Sequence, residues 1–380
     1  MRRAVAPVGV PRVTATAAAG PASRETSTEV GTVVARRVLA PVTAALAVVT
    51  VVVGLVRAGG VEIPLEVQLV PFAVSILVFG LPHGALDHLV PARLRGDGRV
   101  LRSVAVVVAL YAVLGAATAA LWLVAPLAGM LAFIALTWFH WGQGDRWIDH
   151  LMGDGTVGGA AAALTIAARG ALPMLVPLVA HPTDYSSVVG EAASAVGRAS
   201  TAPVGALSIT TGWRAVAGVI VLALVTALVA AVHRARRPVA RTVTEVVVLA
   251  AFFWVVPPVL AVGLYFTLWH SVRHVVRLEL TDPAGARDLA AGRLFRPFLR
   301  FLRQAWPITL VALAILVGTG VLLGDDGLGV YLVVLAVLTT PHAAVVTWMD
   351  QVQGAWTGRG PTGTRPDDHH MPEGTPRGVA

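Results

Sequence analysis

The stretch VAVVVALYAVLGAATAALWLVA, residues 104–125, carries no charged side chain and is long enough to cross a membrane as a helix. The hydrocarbon core of a bilayer requires about 20 consecutive apolar residues in helical form. Similar stretches recur along most of the chain, so the sequence predicts an all-α, polytopic integral membrane helix bundle with about 8–10 transmembrane helices. Ten spans are predicted at 38–57, 66–91, 101–125, 127–149, 158–180, 213–233, 241–256, 258–280, 305–324 and 328–350.

The composition supports this fold class and excludes several kinds of chemistry. Of the 380 residues, 56% are hydrophobic and 13% are charged, whereas about a quarter of a soluble domain is charged. Cysteine is absent, which excludes disulfides, thiolate metal ligands and cysteine nucleophiles. Lysine is also absent, so the chain cannot bind retinal as a Schiff base. The net charge of +8 comes from arginines that lie between the spans, and we therefore expect no nucleic-acid partner.

The arginines also predict the topology, because they cluster in alternate loops. By the positive-inside rule, these loops and both termini are predicted to be cytoplasmic, in a multi-pass protein of the plasma membrane. Residues 1–35 and 352–380 are polar or rich in small residues and are predicted to be disordered cytoplasmic tails. They flank one transmembrane domain, 36–351, which carries the candidate site. The clustered arginines are Arg93, Arg95, Arg99 and Arg102, then Arg234, Arg236, Arg237 and Arg241, then Arg287, Arg293, Arg296, Arg300 and Arg303.

Five histidines lie inside the predicted spans, namely His83, His140, His270, His274 and His342. Burying an ionisable side chain in hydrocarbon costs a few kcal/mol unless it is paired, and such residues are usually functional. Measured from the outer ends of their spans, the five depths agree within about 8 Å at 1.5 Å per residue. The histidines are therefore predicted to share one layer of the bundle.

The spacing of these histidines favours a metal site. His270 and His274 are four residues apart, so both project from one face of a helix. His83 and His140 could complete a set of four imidazoles, which suits iron, copper or zinc. Asp87 lies one turn after His83 and could accept the second N–H of a metal-bound ring. The residues alone leave His342 open as a ligand, a neighbour of the ligands or a lid.

Aromatic side chains flank the histidines, namely Phe79, Trp138, Trp141, Phe266 and Trp269. Ordinary packing or an interfacial belt would account for some of them. At the depth of the histidines, however, a belt explains some of them poorly. The five aromatic residues therefore predict an apolar substrate pocket that is reached from the bilayer.

Other classes of protein place histidines inside membranes. A di-haem cytochrome usually places its haem-ligating histidines at two depths in the membrane. A di-iron desaturase needs more histidines than the five in these spans, grouped in several short motifs. A transporter for metal ions or protons is the main alternative to an enzyme, because it too places His and Asp at mid-depth. A transporter should have polar groups on both sides of the histidine layer. In this chain, however, the outer halves of the spans are almost wholly apolar. This pattern favours an enzyme whose substrate arrives from the lipid.

Four motifs resemble those of the bacteriorhodopsin-related (Brp/Blh-like) β-carotene 15,15′-dioxygenases. Gly80-Leu-Pro-His83-Gly-Ala-Leu-Asp87 resembles the G-x-x-H-G-x-x-D motif of that family. His140-Trp-Gly-Gln-Gly-Asp145 resembles its H-F-G-x-x-D element, with Trp141 in place of Phe. Trp269-His-Ser-Val-Arg-His274 and Pro341-His342 resemble its W-H-x-x-R-H and P-H elements. The motifs follow the order of the family from about residue 75 to 350.

The resemblance implies a non-haem Fe(2+) dioxygenase of the lipid bilayer. Such an enzyme cleaves the central 15,15′ double bond of β-carotene with O2 and gives two molecules of retinal for a rhodopsin. The resemblance also implies a role for each histidine. Iron ligands are expected at His83, His140, His270 and His274, and catalytic residues near the iron at Asp87 and His342.

Overall fold

A computed structural model describes residues 30–96, 98–153, 158–196, 210–323 and 327–356. All regular secondary structure in these ranges is helical, which confirms the all-α fold. The helices are α1 (Val30–Ala58), α2 (an interrupted run, 65–95), α3 (Val100–Val124), α4 (Pro126–Leu151), α5 (Gly159–Ala180), α6 (Pro182–Val196), α7 (Thr211–Arg234), α8 (Val239–Val255), α9 (Pro258–Leu280), α10 (Pro283–Ala290), α11 (Phe295–Leu323) and α12 (Leu328–Val352).

Each of the ten predicted spans falls on one of these helices. Seven of the described helices are long and apolar enough to cross a membrane, namely α1, α3, α5, α7, α9, α11 and α12. Of the other three, α2 is interrupted, α4 carries several polar side chains near its end, and α8 has only 17 residues. By the length and composition of its helices, the chain is a multi-pass membrane protein.

Helix α2 is not the continuous helix that was expected for the span 66–91. Pro82 and Pro91 have no N–H, so neither can make the regular helical bond to the residue four positions earlier. The helix also widens into a π-turn before Pro82, and π-turns are frequent at functional sites. The irregular part contains His83 and Asp87. The successive parts of α2 are Leu65–Val74, Ser75–Gly80, Leu81–Gly84, Asp87–Leu89 and Val90–Arg95.

The helices form an inner group and an outer group. Within their most apolar windows, α5, α9 and α12 are 67–78% buried, whereas α1, α3, α7 and α11 are 11–22% buried. Large apolar side chains of the outer group are exposed, such as Val113 at 67% and Leu222 at 69%. In water such a surface would drive aggregation, but it suits contact with lipid chains. Helix α4 belongs to the inner group, because the half that carries His140 is buried.

The two ends of the described chain meet at one end of the bundle. Val34, Trp147, Leu289 and Ala355 belong to one buried apolar cluster there. The Arg237 side chain donates a hydrogen bond to the Gly153 carbonyl at the same end. This region, which we call the arginine end, contains the arginine-rich segments 234–241 and 287–303, where α7 meets α8 and α10 meets α11. The structure therefore places the described chain ends together, and their cytoplasmic location stays a prediction.

The first helix begins earlier than expected. Residues 30–35 fall within the segment 1–35 that was predicted as a disordered tail, yet they are helical. The reason is packing, because Val30 and Val34 are buried against the ends of α4 and α10. At the other end, α12 finishes at Val352, and Ala355 just beyond it is 1% exposed. The predictions for residues 1–29 and 357–380 lie outside the described residues.

Two connections matter for the position of the site. Helix α8 ends at Val255 and α9 begins at Pro258, as expected from Pro257-Pro258. The polar link between α5 and α7 contains α6, a helix with a buried apolar face that includes Val189 and Ala192. These side chains pack against α12, so α6 covers the end of the bundle that is opposite the arginine end.

Candidate metal centre

The structure brings the five span histidines together in one buried cluster. They come from four helices, with His83 on α2, His140 on α4, His270 and His274 on α9, and His342 on α12. All five are at most 6% exposed. The ring centroids of neighbouring histidines lie 4.8–5.5 Å apart. The common depth that was predicted from the sequence is therefore a common location.

Local backbone geometry orients the His83 ring. Its Nδ1 atom is hydrogen bonded to the Gly80 carbonyl oxygen one turn earlier. A carbonyl can only accept, so Nδ1 carries the proton and Nε2 keeps a lone pair that is available to a metal. Gly80 itself allows close approach of α9, because a Cβ there would lie 2.9 Å from Cε1 of Phe266 and 2.5 Å from Oγ of Ser75. The π-turn and the glycine thus place His83 against the helix that carries His270 and His274.

A carboxylate orients His342 in a similar way. The His342 Nδ1 atom lies 2.8 Å from Oδ2 of Asp87, and the Tyr111 hydroxyl donates to the same oxygen at 2.7 Å. Asp87 is 1% exposed, so the pair is shielded from solvent. With its Nδ1–H directed at the carboxylate, His342 presents Nε2 to the cluster. This carboxylate–histidine arrangement is typical of metal-bound imidazoles.

The remaining ring nitrogens point to a missing partner. Nε2 of each of His140, His270, His274 and His342 is buried and has no hydrogen-bond partner among the described residues. Buried polar atoms without a partner are uncommon, because each loses its hydration without compensation. One metal ion would satisfy several of these nitrogens at once. Imidazole nitrogens with a nearby carboxylate fit iron, so the donor set is compatible with the cofactor that the resemblance implied.

Two groups of potential ligand atoms are especially compact. His83, His140 and His342 form one group, and Asp87, His274 and His342 form the other. Within each group the ligand atoms lie within 4.8 Å of one another. His342 belongs to both groups, whereas His270 belongs to neither. The geometry thus makes His342 at least as strong a candidate ligand as the four histidines that the resemblance selected.

The five flanking aromatic residues occupy different environments. Trp141 and Phe266 line an apolar cavity next to the cluster, and each ring centroid lies 5.8 Å from that of His270. Phe79 stacks on a phenylalanine of α11. Trp138 donates from Nε1 to a backbone carbonyl of α5, and Trp269 is fully buried. The last three are not among the described residues that line this cavity.

A network of buried ion pairs adjoins the cluster on the side of the arginine end. Arg273 lies 3.1 Å from Asp145 and 3.6 Å from Glu245, and Arg169 lies 2.9 Å from Glu245. The Trp269 indole N–H donates to Asp145 at 2.9 Å, while the Arg273 guanidinium lies 3.5 Å from the centre of the Trp269 ring. The network ties α4, α5 and α8 to α9. It therefore fixes the helix that carries His270 and His274.

Two further carboxylates, Asp145 and Glu279, lie close to the histidines in sequence and take part in ion pairs. Asp145 is bound by Arg273 and Trp269, and Glu279 pairs with Arg300 of α11 at 3.0 Å. Neither is hydrogen bonded to a histidine in the described ranges. A further buried pair, Arg277 with Asp350 at 2.7 Å, links α9 to α12.

Several of these residues were missed in the sequence. Arg169 and Glu245 are ionisable residues inside predicted spans, which is the same signal that identified the histidines. Arg273 lies within the third motif but was not assigned a role. Nothing in the sequence identified Tyr111 as a site residue, because a single tyrosine is common in an apolar span.

A family model for beta-carotene 15,15'-dioxygenase matches residues 74–350, which include all five histidines and most of the described bundle. The chain belongs to the beta-carotene 15,15'-dioxygenase family. This confirms the resemblance that the four motifs indicated. The matched region begins in α2 and ends in α12, so it spans the helices that form the cluster.

Relatives in this dioxygenase family extend the match over most of the chain. A probable beta-carotene 15,15'-dioxygenase Blh of Halobacterium salinarum is 42% identical over 338 residues, which are 84% of this chain and 95% of the relative. A probable beta-carotene 15,15'-dioxygenase Brp of the same species is 27% identical over 323 residues, or 78% of this chain and 88% of the relative. No solved structure matches the chain significantly.

Proposed function

We propose that this protein cleaves the central 15,15′ double bond of β-carotene with O2 and releases two molecules of retinal. The observation that carries the proposal is the cluster of five buried imidazoles, four of them with an Nε2 atom that no described residue satisfies. The family membership and the names of the relatives support the same activity.

The proposed cofactor is iron. His83, His140, His270 and His274 would hold it, as the resemblance implies, and the geometry adds His342 as a fifth candidate. Bound there, Fe(2+) would supply the activation of O2 that an organic side chain cannot provide.

The protein's own groups would orient the ligands and keep the site dry. The Gly80 carbonyl and the Asp87 carboxylate fix the tautomers of His83 and His342, so that each presents Nε2. Trp141 and Phe266 shield the cluster and offer flat apolar surfaces to a polyene. No general base is needed, because the atoms of one β-carotene and one O2 together equal those of two retinal molecules.

The membrane setting suits this substrate. A C40 hydrocarbon dissolves in the bilayer, and the outer helices expose apolar side chains to lipid. We propose that β-carotene enters sideways between helices of a plasma-membrane protein, and that retinal passes on to a rhodopsin. The described residues that line the cavity beside Trp141 are apolar except for Thr137 and Tyr185. This lining argues against a transporter of metal ions or protons, which would need polar groups on both sides of the histidines.

The activity is testable by expression in a bacterial host that already makes β-carotene. We expect the orange colour to fade while retinal accumulates. His270→Ala should abolish retinal formation, whereas His233→Ala is a matched control, because His233 is exposed near the end of α7. Unchanged β-carotene in cells that contain the wild-type protein in their membranes would contradict the proposal.

A further inference from the structure

The cavity that Trp141 and Phe266 line extends from the neighbourhood of the histidines to α6. It lies between α4, α5, α6, α9 and α12, and we call it the α4–α6 cavity. Its empty space, with the mouth included, is about 830 Å³. Met130 and Trp141 both line it, and they are separated by a rise of about 16 Å along α4. This distance is comparable with the extended length of one C20 half of a carotenoid.

Helix α6 bounds the far end of this cavity. Tyr185 and Val189 line it there, and Val189 is buried against α12. Burial raises the pKa of Tyr185 to about 12, so its hydroxyl stays neutral at any physiological pH. A neutral, mostly apolar end is suitable for a hydrocarbon ring. A linear molecule that enters from the histidine side can therefore advance only as far as α6.

A second cavity reaches the histidines from another direction. It is lined by Gly84, Tyr111, Ile308, Leu338 and His342 among others, and we call it the α3–α11 cavity. It lies between two outer helices, and Ile308 is 44% exposed, so this cavity faces the lipid. Leu335 lines both cavities. The histidine cluster therefore borders the α3–α11 cavity directly, through His83 and His342, and adjoins the α4–α6 cavity across Trp141 and Phe266.

We propose that the two halves of the substrate lie on opposite sides of the histidine cluster, one in the α4–α6 cavity and the other in the α3–α11 cavity. This inference rests on the proposed function. The substrate enters through the α3–α11 cavity, and its leading ring stops against α6. The depth of the α4–α6 cavity then determines which double bond lies at the metal site. Central cleavage follows when this depth matches half of the molecule.

Filling the far end of the α4–α6 cavity tests the inference. Met130→Trp on α4 and Val189→Phe on α6 both add bulk there; Met130 precedes His140 by ten residues, and α6 carries no histidine of the cluster. Leu131→Trp is the matched control, because Leu131 is the next residue on α4 and is 52% exposed. The three variants and the wild type are purified in detergent. Iron content, binding of β-carotene to the iron-free protein, and cleavage products are measured separately.

We expect the two filled variants to retain iron, to bind β-carotene about tenfold or more weakly, and to lose central cleavage or shift it toward one ring, giving unequal apocarotenals. Leu131→Trp should behave like the wild type. Wild-type binding and retinal formation in both filled variants would overturn the inference, and so would loss of iron in both. If the wild type binds β-carotene but cleaves nothing, the proposed function fails while the binding result still tests the two cavities.

Discussion

Nδ1 of His342 lies 2.8 Å from Oδ2 of Asp87, although the two residues are 255 positions apart in the chain. The contact joins α12 to the irregular part of α2, where the helix is broken around Pro82 and Pro91. It fixes the orientation of the imidazole that belongs to both compact groups of candidate ligands. The Asp87–His342 pair is thus the part of the site whose removal should be most informative.

Asp87→Asn should weaken iron binding while leaving the fold intact. The amide preserves the shape of the side chain but removes the negative charge that favours the Nδ1–H tautomer of His342. Loss of such a partner typically lowers metal affinity about 10–100-fold. Titration of the iron-free protein with Fe(2+) under anaerobic conditions measures this affinity.

Tyr111→Phe is the matched control for Asp87→Asn. It removes the other hydrogen bond to the same carboxylate oxygen but leaves the contact with His342 in place. We expect a smaller loss of iron affinity than in Asp87→Asn. Equal iron affinity in Asp87→Asn and the wild type would show that the pair does not orient a ligand.

Asp145→Ala should destabilise the bundle and release iron as a consequence. The substitution leaves the buried Arg273 without its 3.1 Å partner and removes the acceptor of the Trp269 indole. Removal of one partner from a buried ion pair costs about 3 kcal/mol or more. Thermal unfolding in detergent checks this, with Glu62→Ala as the control, since Glu62 is exposed. A melting temperature equal to that of the wild type would mean that the ion-pair network does not hold α9 in place.

Gly80→Ala should move His83 away from its partners. The added Cβ would lie 2.9 Å from the Ser75 carbonyl oxygen and 2.9 Å from Cε1 of Phe266, so the π-turn or α9 must shift, at a cost of about 1–3 kcal/mol. Gly218→Ala on α7 is a suitable control, because a Cβ there meets no atom within 4 Å. We expect lower stability and lower iron content in Gly80→Ala and wild-type values in Gly218→Ala. Normal iron content in Gly80→Ala would show that the close approach of Phe266 is not required.

Stability near the arginine end should depend on pH through Asp288. Hydrogen bonds from Arg300 and then Arg293 lower the pKa of this carboxyl in the folded protein. Its stabilising contribution is therefore complete above the unfolded pKa of about 3.9 and is lost as the pH falls through the lower folded pKa. Melting temperatures measured from pH 7 to pH 3 should show a steeper acid decline in the wild type than in Asp288→Asn. If the melting temperatures of the wild type and Asp288→Asn fall in parallel with pH, Asp288 does not contribute to stability in this way.

Much of the architecture could be predicted, because crossing a bilayer imposes a strong constraint on composition. The apolar stretches identified the helices, and Pro257-Pro258 identified the break between α8 and α9. Depth along a span predicted that His83 and His342 would share one layer of the bundle, since rise per residue is fixed in a helix. The interruption of α2 was not predicted, because hydropathy does not register a π-turn or a 3-10 turn; Pro82 and Pro91 were the only sequence signal for it.

The orientation of side chains around the helix axis could not be predicted. Each step of one residue along a helix rotates the side-chain direction by about a quarter of a turn or more. An error of a few residues in the bounds of a span therefore leaves the direction of each side chain undetermined. For this reason Trp141 and Phe266 line the α4–α6 cavity, whereas Trp138 and Trp269, which looked equivalent in the sequence, do not. The contact of His342 with Asp87 likewise depends on helix rotation as well as depth.

The most direct test is the stoichiometry of the reaction catalysed by purified protein. Wild-type protein loaded with Fe(2+) is given β-carotene, and O2 uptake, β-carotene loss and retinal formation are measured together. The proposed function predicts one O2 consumed and two retinal molecules formed for each β-carotene, with no activity and little bound iron in His274→Ala. A fully iron-loaded wild-type protein that leaves β-carotene intact, or a His274→Ala variant with normal iron and normal turnover, would contradict it.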